Sequence, residues 1–150
     1  LEKKQRVSEL SMACATILLQ NRTEELVRLS LFITGFCEQK GLSTDLELAL
    51  NLVAEEAFMN VVMHGHAQEG GHEIGVTLTH RGDQVELTVE DDATEFNPLN
   101  AAEVDPDASL DQRRIGGLGI HLLRKLMTEL HYERSGGKNR LTMRKLIPLN

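Results

Sequence analysis

Two polar side chains stand one helical turn apart where the pattern asks for apolar ones: Glu56 and Asn60, in the segment AEEAFMNVVMHG. At 100° per residue, Leu46, Leu50, Val53, Ala57 and Val61 form one stripe of a helix running from Leu46 to His64, with Glu47, Asn51 and Glu55 opposite. Glu56 and Asn60 fall beside Ala49, Leu52 and Val53, so a carboxylate and a carboxamide turn toward packed interior. Burying such groups unpartnered costs about 1–3 kcal/mol each, so backbone or a ligand must satisfy them. Two other segments carry reactive residue types: Asp91-Asp92-Ala93-Thr94-Glu95-Phe96-Asn97-Pro98, and Gly116-Gly117-Leu118-Gly119. Asp-rich turns and glycine clusters are each common, so the weight lies in the order of the three segments and the elements that bear them.

His64, His66 and His72 lie close enough in sequence to raise metal ligation. They fall at a helix end and in a Gly-rich turn without ligand-type spacing, and are read as solvated loop histidines. Cys14 and Cys37 form no CxxC pair and are read as reduced core residues.

The elements that must position these residues follow from periodicity. Ala13 to Leu19 reads as a short strand. Asn21, with Glu24 three residues on, reads as the capping start of a helix that runs to Lys40 and stops at Gly41. Thr44 with Glu47 repeats the device for the helix bearing Glu56 and Asn60, and Gly65 is placed for a left-handed cap. Ile74, Val76 and Leu78 then alternate with polar or small residues, Arg81-Gly82-Asp83 turns the chain, and Val85, Leu87 and Val89 continue the alternation as an antiparallel hairpin. Glu90 to Asp111 has no sustained period and is longer than an ordinary connection. A third helix follows the glycines with Ile120, Leu123, Leu126 and Met127 on one face, and a second hairpin closes around Ser135-Gly136-Gly137-Lys138. The order predicts an α+β two-layer sandwich, a mainly antiparallel mixed sheet with three helices on one face.

At 150 residues the chain has the size of one domain, read as 1–150 with a polar leader over 1–12. A net charge of −7 without clustered Lys and Arg argues against a nucleic-acid surface. The most apolar helical stretch, Leu26 to Phe36, is interrupted by Arg28 and is too short to span a bilayer. Leu1 to Glu9 is polar and has no secretion-signal pattern, so no membrane role and a cytoplasmic location are expected.

Taken in order, Glu56-x-x-x-Asn60, the Asp91 segment and the Gly116 cluster resemble the GHKL ATPase superfamily. This is the Bergerat fold shared by histidine kinases, DNA gyrase and anti-sigma serine kinases, and the compact chain is most similar to the bacterial anti-sigma factor serine/threonine kinases. The resemblance implies ATP and Mg²⁺ as cofactors, with Asn60 as the Mg²⁺ ligand and Glu56 as the catalytic general base. It makes Asp91 the acceptor for the adenine amino group and sets His64 and Gly65 at the pocket edge. Gly116, Gly117 and Gly119, with Leu118 and Ile120 alongside, would bring backbone to the phosphates at a helix N-terminus. No Walker lysine is present, so this is not a P-loop. Residues 92–114 would form the lid, with Arg113 or Arg114 reaching a phosphate, and Asn139, Leu141 and Thr142 would line the adenine pocket. Ala93 stands where the family usually has glycine and Glu95 where a small residue is common; Phe96, Asn97, Pro98 and Leu99 keep the subgroup pattern.

The resemblance further implies a protein kinase that binds a sigma factor and phosphorylates an anti-sigma antagonist on serine, and the apolar face of the first helix permits a homodimer. Two other readings fit the same residues: a nucleotide-binding regulatory module that transfers nothing, and the ATPase domain of a larger sensor. A structural α+β domain would instead scatter Glu56, Asn60, Asp91 and the glycines in space.

Overall fold

The structure is a computed structural model that describes residues 12–100 and 117–147. Five strands form one sheet in the order β1-β2-β3-β5-β4: β1 (Met12–Gln20), β2 (Glu73–Arg81), β3 (Gln84–Asp91), β4 (Glu129–Ser135) and β5 (Lys138–Leu146). Every neighbouring pair is antiparallel, so the sheet is antiparallel throughout its described strands rather than mixed. The helices α1 (Leu26–Lys40), α2 (Thr44–His64) and α3 (Gly117–Leu126) pack with the sheet, α1 against β1 and β2, and α2 against β3. No described helix is long and apolar enough to cross a membrane.

The alternation read from the sequence sets the buried face. Ile74, Val76 and Leu78 of β2 and Val85, Leu87 and Val89 of β3 are buried, and the register aligns Val76 with Val89 and Leu78 with Leu87. These rows continue into β5 as Leu141 opposite Val89 and Met143 opposite Leu87. The row nearest the helix ends differs. It runs Leu19, Ile74, Asp91, Asn139, Arg134, so two apolar positions give way to three polar ones at a fixed place on the inner face. The second hairpin turns on Gly136 (φ 59°) and Gly137 (φ 76°), a pair of positive φ values that a two-residue type I′ turn requires.

The helix boundaries differ from expectation for local reasons. Asn21 does not cap α1. It is fully buried, and its side chain accepts from His72 N (3.1 Å) and donates to Gln68 O (3.3 Å), tying the end of β1 to the connection before β2. The chain makes a 3-10 turn at Thr23–Glu25 before α1 begins, and Glu25 accepts instead from Gln20 N and Arg28. The C-terminus of α1 is the expected one: Gly41 is left-handed (φ 64°) and Leu42 N reaches back to Cys37 O at 2.9 Å. Ser43, one residue before Thr44, caps α2 by accepting from Leu46 N at 3.2 Å. Gly65 ends α2 in the right-handed region (φ −79°, ψ −37°), so no left-handed cap forms there. Cys37 is buried as expected, but Cys14 lies exposed on the outer face of β1.

Candidate active site

The polar end of the sheet row builds the floor of a pocket. Asp91 and Asn139 are each only 6% exposed. Asp91 Oδ1 accepts from Ala93 N (3.0 Å), an Asx turn that carries the chain out of β3, and from Asn139 Nδ2 (2.9 Å) on the adjacent strand. Both bonds fall on one carboxylate oxygen, which leaves Oδ2 for a donor in the pocket. Asn139 does more than hold Asp91. Its Nδ2 also lies 3.3 Å from Ala93 O and 3.0 Å from Thr94 O, and its Oδ1 accepts from Phe96 N (3.4 Å) and Tyr132 Oη (2.5 Å). Arg134 Nη1 donates to Ala93 O at 2.7 Å. Residues 93–96 are thus pinned to the second hairpin by side chains of β4 and β5.

The C-terminal two turns of α2 form the opposite wall. Ala57, Asn60, Val61, His64 and Gly65 line the pocket with Val89, Asp91, Ala93, Thr94, Phe96, Pro98, Tyr132, Asn139 and Leu141. Asn60 is half-buried, lines the cavity and makes no side-chain hydrogen bond to another described residue. Ala93, where glycine was expected, takes a negative φ and is buried against α2. A methyl group added at Gly65 would stand 2.7 Å from the Ala93 Cβ and 2.5 Å from Val61 O. Gly65 is therefore required by close approach to Ala93, not by its backbone angles.

Glu56 is not among the pocket-lining residues. It sits half-buried where α2 meets α3, and a Cβ at Gly119 would overlap its carboxylate. Burial raises its carboxyl above the ordinary 4.5, the neighbouring Glu55 adds to the rise, and His64 opposes it. Gly119 thus lies in the first turn of α3 against Glu56. The helix opens at Gly117, so the last glycines of the cluster are helical rather than a loop preceding the helix.

Of the other residues expected at a nucleotide site, Phe96 is 43% exposed at the pocket mouth with its ring 6.4 Å from that of His64. Ile120 is in the hydrophobic core. Thr142 departs from expectation: in β5 the buried positions are Asn139, Leu141 and Met143, so Thr142 points to the outer face beside Glu86, His131 and Arg144. Arg113, Arg114 and Gly116 lie outside the described residues, as does 101–114 of the expected lid. For Gly117 and Leu118 the backbone is helical. Tyr132 and Arg134 were not anticipated. Their signal was available only through the register of the second hairpin, which sets Arg134 opposite Asn139 and Tyr132 opposite Leu141.

The histidines separate into two groups. His64 is exposed at the pocket, whereas His66 and His72 stack on one another (centroids 3.6 Å apart, planes 12° apart) next to Asp92. His66 is 18% exposed in its side chain, so the reading as a solvated loop histidine does not hold for it.

Comparison with known proteins places the chain in a family. The chain matches the histidine kinase-like ATPase domain family over residues 19–145, and it belongs to that family. Within it, the chain falls in the anti-sigma factor kinase subgroup. It is similar to the serine/threonine-protein kinase BtrW of Bordetella bronchiseptica, 34% identical over 101 residues that cover 67% of this chain and 71% of the relative. It is similar also to the serine-protein kinase RsbW of Listeria monocytogenes, 30% identical over 126 residues and 79% of each chain. The fold matches a crystal structure of the RsbU and RsbW domains of a Mycobacterium tuberculosis protein with a TM-score of 0.64 at 16% identity. That match covers 89% of this chain and 32% of the other, so this chain spans about a third of the crystallised chain's length.

Proposed function

We propose that this chain is an ATP-dependent protein serine/threonine kinase that binds a sigma factor and phosphorylates an anti-sigma antagonist on serine. The observation that carries the reading is Asp91: one oxygen is fixed by Ala93 N and Asn139, and the other is left facing the pocket, as an acceptor for the adenine amino group must be. A guanine, with a keto oxygen at that place, would leave acceptor facing acceptor. The relatives named as serine-protein kinases support the phosphoryl-transfer part of the reading.

In this reading Asn60 presents a neutral oxygen to the phosphate end of the pocket, the donor type that Mg²⁺ takes alongside water and phosphate oxygens. Mg²⁺ held there would neutralise charge on the phosphate oxygens during transfer. Glu56, one turn away, accepts the serine hydroxyl proton, and its raised carboxyl pKa brings it nearer the value a general base needs at neutral pH. The first turn of α3 supplies N–H groups toward the phosphates, and residues 92–114 act as the lid, with Phe96 at the mouth. Phosphorylation then places charge at the interface between kinase and antagonist and releases the two, a switch suited to a cytoplasmic transcription regulator.

The test is transfer of label from γ-labelled ATP to an antagonist protein, with ATP affinity measured in parallel by calorimetry for wild type and Asn60→Ala. Transfer in the wild type, together with Mg²⁺-dependent ATP binding that Asn60→Ala loses, is the expected result. ATP binding without transfer to any antagonist would leave a nucleotide-gated regulatory module instead.

A further inference from the structure

We infer that His66, His72 and Asp92 form a binding site for a borderline divalent cation, Zn²⁺ by donor set, separate from the nucleotide pocket. The ligand atoms of the three residues all lie within 4.8 Å of one another. Asp92 Oδ1 is 3.3 Å from His66 Nε2 and 3.4 Å from His72 Nδ1. Those separations match the edge of a tetrahedron whose metal–ligand bonds are about 2.0–2.1 Å, an edge of about 3.3–3.4 Å. Two imidazoles and one carboxylate leave a fourth position for water, a set that suits Zn²⁺ better than Mg²⁺ or Ca²⁺, which favour all-oxygen shells.

A second, independent observation points the same way. Among the described residues, His66 Nε2 is the buried side-chain atom without a hydrogen-bond partner. Its nearest acceptor is Asp92 Oδ1 at 3.3 Å, close enough for an ion pair but poorly aligned for a hydrogen bond, so the nitrogen is covered and only loosely satisfied by the carboxylate. A cation between them would satisfy it.

The backbone around the triad is fixed on both sides, as a metal site requires. His72 N and O bond the side chain and backbone of the fully buried Asn21, and Gly70 N bonds Asn21 O at 3.1 Å. Gly65 O accepts from Thr94 N at 3.3 Å, which brings the start of the α2–β2 connection to the residue two past Asp92. The rings now stack nearly parallel, and since each lone pair lies in its own ring plane, loading the site turns them apart. The bound ion would clamp the α2–β2 connection to the end of β3, next to the Asx turn that sets the pocket floor.

The test is calorimetric titration of tag-free protein with ZnCl₂, for wild type and for the two variants at the more exposed ligands, His72→Gln and Asp92→Asn. Expected are one Zn²⁺ per wild-type chain, at least tenfold weaker binding in each variant, and a thermal midpoint raised by Zn²⁺ in the wild type alone. Co²⁺ should give a visible d–d absorption that Zn²⁺ abolishes. Absence of Zn²⁺ uptake by the wild type, or uptake that both variants retain unchanged, would overturn the assignment, the latter by placing the metal on other histidines such as His80 or His131.

Discussion

Gly119 packs directly onto the carboxylate of Glu56, so a side chain at position 119 would have to push that carboxylate aside. The contact sets the first turn of α3 beside the residue proposed as general base, which would give a glycine of the cluster a part in placing that group. Gly119→Ala should displace either the carboxylate or the helix end. The atoms the added methyl would meet are the outer atoms of a flexible side chain, so the shift costs little stability, and its effect is read in phosphoryl transfer, which should fall as the carboxylate is moved. A wild-type transfer rate in the variant would mean that the Glu56 carboxylate does not need its place against Gly119.

Glu56→Gln keeps the shape and removes the charge. Phosphoryl transfer should drop by at least a hundredfold with ATP affinity unchanged, the range expected when a general base is lost. Stability should move the other way. Because burial raises the folded carboxyl above its ordinary value, the folded chain keeps its proton at pH values where the unfolded chain has released it, so wild-type stability falls as pH rises through that window. The glutamine variant lacks this loss, so it should be at least as stable as wild type at pH 7 and show no advantage at pH 3. A variant less stable at neutral pH would show that the ionised form is the one the fold favours.

Asn139→Ala should reduce ATP affinity tenfold or more and destabilise the fold. It removes the donor that Asp91, Ala93 O and Thr94 O share and frees Phe96 N, each a group that costs about 1–3 kcal/mol if left unpaired and buried. Calorimetry with ATP reads the first effect and urea unfolding the second. Equal affinity in the variant would separate the Asn139 network from the nucleotide.

The two thiols should react very differently. Cys14 is exposed, whereas Cys37 is fully buried and its thiol is pushed up to about 11 by burial and by the Glu47 carboxylate. At pH 8, a thiol reagent should modify one site quickly, located by peptide mapping to Cys14, and reach Cys37 only on unfolding. Rapid modification of both would indicate that α1 opens in the folded state.

The layers of the fold were legible because the periods are clean: Ile74, Val76 and Leu78 against Val85, Leu87 and Val89 give the sheet its face, and the α2 stripe gives the helix its own. Strand mates were less so. Nothing local sets Asn139 opposite Asp91, because that pairing depends on β5 entering between β3 and β4. Thr142 shows the cost, since one step along a strand reverses the face. Asn21 shows another limit: Asn before an acidic helical stretch is also what a cap looks like, and only the distant backbone of His72 claims its side chain. The meeting of Asp92 with His66 and His72 was hidden likewise, since it needs the end of β3 to arrive beside the α2–β2 connection.

The bond between Asp91 and Asn139 spans 48 positions of sequence. During synthesis, the strand bearing Asp91 and its hairpin partner β2 can pair early and Ala93 N can engage the carboxylate locally, but its full two-bond orientation waits until the ribosome has released Asn139. Nucleotide that depends on that orientation cannot reward an incomplete chain. If ATP binds as proposed, any stabilisation it gives is confined to polypeptides that have already inserted β5 between β3 and β4, and a nascent chain stalled in the connection before α3 would gain none of it.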